Sequence, residues 1–293
     1  MRTRRGLRAL TLALLFLILG GCLLLAERQI RLSGGETALT AAELPGGNAA
    51  LYLPRAVPVA EALPAHDDEG DDGHRHEAVY TGGKMNAVMI LSRGADGASV
   101  LAAELSRRGV AALIVNGENG REAWDWLTAQ DFVRLSGTAL AAPKGRSAEA
   151  LDLADSLRGT GRECAAVILL GDAGTLRRAG GSDARNVLMF TGRADPAAEE
   201  AFFGSAVDAE RGFSGYFSDG SARACVRGGG SFFSRRTLET VMDWQGSSLG
   251  HTVELPDDDL ICGKLLLCRA WAGLCLLAAA GVLLCRRRIE EER

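Results

Sequence analysis

The sequence predicts an α/β domain, a mostly parallel sheet flanked by helices, carried between one N-terminal and one C-terminal transmembrane helix. Three observations predict it. Short apolar runs alternate with helical patterns through the middle of the chain. The first clear run, Ala87-Val88-Met89-Ile90-Leu91, has no polar break, which suits a strand buried on both faces. Two longer apolar stretches stand near the ends, each with arginines on its outer side.

Residues 9–26, ALTLALLFLILGGCLLLA, are uncharged, and at about 1.5 Å rise per residue they cross most of a bilayer core. Arg2, Arg4, Arg5 and Arg8 precede them. Residues 265–285 hold one charge, Arg269, near the outer end, where its apolar stem lets the guanidinium reach the interface. Arg286, Arg287 and Arg288 follow at once. The positive-inside rule then puts tip 1–8 and tail 286–293 in the cytoplasm and domain 27–260 outside the cell membrane. The N-terminal segment also reads as a cleavable signal, because Leu19-Gly20-Gly21-Cys22 resembles the lipobox of bacterial lipoproteins. Against cleavage, Leu23, Leu24 and Leu25 prolong the apolar run.

A length of 293 residues leaves room for one large domain or two small ones between the anchors. The net charge of −4, with few aromatics and no basic stripe, argues against a nucleic-acid partner. Cys22, Cys268, Cys275 and Cys285 lie in or at the apolar spans, and Cys262 just outside. Only Cys164 and Cys225 fall in the domain proper, and the absence of a Cys-x-x-Cys pair excludes a zinc ribbon or thioredoxin-like motif.

Along the domain, strand 87–91 leads through a glycine-containing loop to an amphipathic helix over Val100–Leu105, which Arg107-Arg108-Gly109 ends. Val110–Val115 is the next strand, Glu122–Ala129 a helix, and Phe132–Ala142 partly strand. Ser147–Leu157 reads as a helix with serine as its cap. Strands are expected at Ala165–Leu170, Asn186–Thr191 and Ala222–Val226, and helix Arg235–Trp244 closes the domain.

MILSRGADGASVLAAELSRRGVAALIVN resembles the third strand, oxyanion loop, first helix and fourth strand of α/β-hydrolases. NVLMFTGRADP is similar to the strand that delivers their triad acid, and DGSARACVRGGGSFF to their last strand. The resemblance spans residues 40–260 and implies that fold, with Asp195 at the acid position.

The expected nucleophile elbow, Gly-x-Ser-x-Gly, has two candidate registers. Gly137-Thr138-Ala139-Leu140-Ala141 puts alanine at the serine position; Gly145-Arg146-Ser147-Ala148-Glu149 keeps a serine. Ser147 therefore reads either as a helix cap or as the nucleophile. The base position near Gly230-Ser231 holds no histidine, and none occurs between His76 and His251. Arg93-Gly94 stands where the family has His-Gly. Arg93, Gly94, Ala139 and Ser231 are thus degenerate positions, and an active enzyme would have to use Ser147 and Asp195.

His66, His74 and His76 lie in an acidic run, 66–76, whose oxygen and imidazole donors suit Ca²⁺ or Zn²⁺. The spacing is not that of an EF-hand, and a solvated insertion is the expected reading. No cofactor is expected. The resemblance with its gaps implies a non-catalytic domain at the bacterial cell surface, binding an unidentified protein or small molecule. An active esterase or peptidase-like hydrolase and a purely structural envelope protein are the rivals.

Overall fold

The computed structural model describes residues 2–32, 36–39, 48–54, 84–94, 97–192, 195–204, 208–210, 214–216, 221–228, 230–249 and 261–291. In chain order they form α1 (Arg2–Leu32), β1 (Glu36–Leu39), β2 (Asn48–Tyr52), β3 (Met85–Ser92), α2 (Ala98–Arg107) and β4 (Ala111–Asn116). Next come α3 (Gly120–Thr128), β5 (Val133–Ala142), α4 (Ser147–Ser156), β6 (Ala166–Gly171), α5 (Ala173–Gly180) and β7 (Val187–Thr191). The chain ends with α6 (Pro196–Phe203), β8 (Asp208–Glu210), β9 (Ser214–Tyr216), β10 (Ala222–Arg227), α7 (Arg235–Leu249) and α8 (Ile261–Glu291). Residues Met1–Ser33 with Leu260–Arg293 make one unit, and Gly34–Asp259 another.

In the larger unit the ten strands form one sheet in the order β1-β2-β4-β3-β5-β6-β7-β10-β9-β8. The middle, from β4 to β10, is parallel throughout, and antiparallel pairs close both sides. As the sequence predicts, β7 and β10 are parallel neighbours, with Cys225 opposite Met189. Each residue from Ala87 to Leu91 is fully buried. Burying a large apolar side chain is worth about 1.5–3 kcal/mol, so β3 can only be a central strand. Alternate residues serve opposite faces. Met89, Leu91 and Leu113 join a core with Trp124, Leu151, Leu176 and Phe202 from α3 to α6. Val88, Ile90 and Ile114 belong to the other face, where α2 meets α7.

Helices α5 and α6 touch so closely that a Cβ on Gly180 would collide with the Ala201 carbonyl. Their last carbonyls are held by one residue from β10. Arg223 donates to the carbonyls of Gly180 at 3.2 Å, Ser182 at 3.0 Å and Phe202 at 2.6 Å. Its guanidinium also lies over the Phe202 ring, 5.3 Å from the centroid.

In the smaller unit, Leu267–Cys285 of α8 is long and apolar enough to cross a membrane. The apolar part of α1, Leu10–Ala26, is shorter, because Glu27 and Arg28 end the run. Of the two expected spans, 9–26 and 265–285, the C-terminal one meets that length and the N-terminal one falls short of it. The two helices pack together through small residues. A Cβ built on Gly20 would lie 3.5 Å from the Cys275 Cβ and 3.6 Å from the Ala272 carbonyl oxygen. Ala13, Ala272, Cys275 and Ala279 are buried, while Leu14, Leu15, Ile18, Leu19, Leu274, Leu277 and Leu284 are exposed.

Candidate active site

The turn from β5 to α4 sits at the carboxyl end of the parallel strands, where loops of such sheets form sites. Ala142 ends the strand, Pro143 to Arg146 make the turn, and the Arg146 N–H donates to the Pro143 carbonyl at 3.0 Å. Gly145 has φ +95°, the left-handed conformation that an elbow demands of its central residue. That places the elbow at Pro143-Lys144-Gly145-Arg146-Ser147. Neither register read from the sequence has its central residue at this left-handed turn. Ala139 lies inside β5, buried and opposite Val88 and Ala166. Ser147 is the first residue of α4, one position past the cap, which is Arg146.

Ser147 is not a cap either. Its buried Oγ lies 2.6 Å from the Leu170 carbonyl and 3.2 Å from that of Pro143, so its proton is held between strand and turn. A small residue is needed there because α4 starts against the end of β6. This is the position of the motif's second glycine, two residues after the centre.

Arg93 covers the elbow. Its Nη2 donates to the Gly145 carbonyl at 2.8 Å, and a Cβ at Gly145 would lie 3.1 Å from Nη1. The Gly94 N–H donates to Ser92 Oγ at 2.9 Å. The two backbone donors expected to hold an oxyanion, at Gly94 and at the residue after the elbow centre, are therefore both engaged within the protein.

Arg146 is the residue that sequence reasoning missed. Its buried guanidinium donates to the carbonyls of Ser92 at 2.8 Å, Val115 at 3.2 Å and Gly117, and Nε reaches Glu149 at 2.9 Å. One fork thus ties the ends of β3 and β4 to the first turn of α4. The available signal was the Arg146/Glu149 spacing of three at a helix start. Nearby, Asp172 caps α5. The Thr175 backbone N–H holds its carboxyl below the usual range, with Lys144 on the elbow adding to the effect.

Asp195 follows β7 and caps α6, accepting the Ala198 N–H at 3.1 Å ahead of Pro196. Its other oxygen pairs with Arg177 at 2.9 Å. Ser231 Oγ accepts the Phe233 N–H at 3.1 Å. The loop after β10 packs onto the start of α2, where a Cβ on Gly97 would lie 3.1 Å from the Phe232 Cβ. His66, His74, His76 and His251 lie outside the described residues. Among the described residues no group of three or more His, Cys, Asp or Glu is placed to hold a metal.

β3, a glycine-bearing loop, α2 and β4 come first; the left-handed elbow between β5 and α4 follows, then an aspartate after β7, then the last parallel strand. The fold is that of the α/β-hydrolases. No family model matches the chain, and no curated protein matches it. Among solved structures it is similar to a puromycin-hydrolyzing peptidase of Mycobacterium tuberculosis, at TM-score 0.47 and 13% identity, covering 74% of this chain and 39% of that one. The chain therefore spans well under half of that peptidase. It is also similar to an S-formylglutathione hydrolase from Agrobacterium tumefaciens, at TM-score 0.42 and 13% identity, covering 73% and 95%. A third is a soluble variant of the monoglyceride lipase of Saccharomyces cerevisiae, at TM-score 0.41 and 10% identity, covering 74% and 96%. These likenesses are too distant to bear on activity.

Proposed function

We propose that this chain is a membrane-tethered α/β-hydrolase-fold domain that does not hydrolyse and serves as a binding or structural module at the bacterial cell surface. The observation that carries the reading is glycine at the elbow centre with the Arg93 guanidinium over it. A nucleophilic oxygen has no side chain to sit on there, and its space is filled by a cation. The engaged oxyanion donors support the same reading. The flanking arginine clusters favour cytoplasmic termini and an outward domain. Its ligand is a protein or small molecule.

A second reading, an active esterase or peptidase-like hydrolase using Ser147, is favoured by Asp195 standing just after β7. A fluorophosphonate probe applied to the full chain in membranes separates the two, since labelling needs an activated serine. We expect no labelling. Labelling that disappears in Ser147→Ala would establish the second reading and overturn the first.

A further inference from the structure

We propose that α1 and α8 are a preassembled helix pair in the membrane, and that Leu19-Gly20-Gly21-Cys22 is a packing segment kept in the mature protein rather than a processing site. This rests on the membrane-tethered reading above. Helix α1 runs unbroken through these residues to Leu32. Gly20 is buried, and a Cβ there would meet the Cys275 Cβ, the Ala272 carbonyl oxygen and the Leu276 Cγ of α8 at 3.5, 3.6 and 3.7 Å, which is ordinary van der Waals contact. Gly21, one residue on, meets nothing within 4 Å. The two glycines that resemble a cleavage signal thus have different surroundings, and only one of them touches the partner helix.

The chemistry of the pair is that of helices associating in lipid. Apolar tails offer no hydrophobic gain for helix pairing, so close backbone approach at small residues supplies the contact. Ala13 and Gly20 on α1, with Ala272, Cys275 and Ala279 on α8, recur at the spacing of one helix face. The larger side chains, Leu14, Leu15, Leu274 and Leu277 among them, point away from it. Removal of the chain before Cys22 would strip α8 of Ala13 and Gly20 and expose its small-residue face. The shorter apolar run of α1 is then held in place by its partner as well as by its own length.

The contact can be trapped as a disulfide. A cysteine Cβ at position 20 would lie 3.5 Å from that of Cys275, at the short end of the range a disulfide spans. Gly20→Cys is made in a full chain whose other span cysteines, Cys22, Cys262, Cys268 and Cys285, are alanine, and Gly21→Cys in the same background is the control. Both are oxidised in membranes and counted for free thiols with a maleimide; the wild-type chain is weighed intact. We expect Gly20→Cys to lose two thiols, Gly21→Cys to lose none, and the wild type to retain the residues before Cys22. A wild-type chain that stays in the membrane but begins at Cys22, or cross-linking absent or equal at both positions, would overturn the pairing and leave the tether standing. Recovery of the chain in the soluble fraction would overturn the tethered reading itself.

Discussion

Arg93 and Gly145 meet across the elbow, the guanidinium of one donating to the carbonyl of the other at 2.8 Å. The contact joins the β3–α2 loop to the β5–α4 turn, the two segments between which an α/β-hydrolase builds its oxyanion hole. Placing a serine at the elbow should therefore not confer hydrolytic chemistry. Gly145→Ser places a Cβ at φ +95° and 3.1 Å from Arg93, which should cost about 1–3 kcal/mol. The variant should denature at lower urea than wild type and remain unlabelled by a fluorophosphonate. Labelling of Gly145→Ser would show that a base is already in place.

Arg146 should be worth more to stability than its surface-like composition suggests. Truncation to alanine removes one donor from each of the Ser92, Val115 and Gly117 carbonyls. Losing one charged hydrogen-bond partner typically costs about 1.5–3 kcal/mol, so Arg146→Ala should lose at least that much in denaturant titration. Arg146→Lys should recover only part of it, since an ammonium cannot reproduce the fork. Equal stability of all three proteins would mean that the strand ends do not depend on this residue.

Burial pushes the Cys164 thiol up to about 12. In the unfolded chain it titrates near about 8.5. The folded value is the higher one, so the stabilisation is complete below the unfolded value and is lost as pH rises toward the folded one. Stability should fall by about 1.4 kcal/mol per pH unit across that window from this group, and Cys164→Ala should flatten the slope. Cys225, also raised by burial, adds to it in the same direction. Urea midpoints between mildly and strongly alkaline pH measure both.

Asp172 acts at the other end of the scale. Its folded carboxyl is held low by the Thr175 N–H, so its contribution is present above about pH 3.9, the unfolded value, and is lost as pH falls through the folded value. Asp172→Ala should cost about 1 kcal/mol at neutral pH as a lost cap. Asp172→Asn should keep most of the cap and remove its acid dependence. Urea titrations at neutral and acid pH would sink the idea if Asp172→Asn kept the wild-type pH profile.

The parallel core was legible because buried strands are uninterrupted apolar runs. The runs at 87–91, 110–115, 165–170 and 222–226 each lie within a residue of an observed strand's limits at one end or both. β1 and β2 were not, since ETAL and NAALY are short and lack a strong pattern. α5 buries only Leu176 and Ala179, too few apolar positions to show a period, although Asp172 and Thr175 spelled a cap. α6 had a clearer signal, Asp195-Pro196 at its start, a cap residue followed by proline at the first helical position. α7 extends past Trp244 to Leu249 because Gln245 and Leu249 continue its buried face. The elbow was misplaced for a different reason. The serine of the motif-like stretch lies two residues past the left-handed turn, and a glycine makes that turn.

Arg223 has a consequence for synthesis. The carbonyls of Gly180, Ser182 and Phe202 are made long before the residue that satisfies them. A chain emerging N-terminus first can pair β3 to β6 before residue 223 is made, but the ends of α5 and α6 lack the Arg223 donors until β10 arrives. Nascent chains halted before residue 223 should be protease-sensitive from α5 onward, and those halted after α7 resistant. The ends of α5 and α6 are thus fastened late, by one arginine, after most of the domain has already left the ribosome.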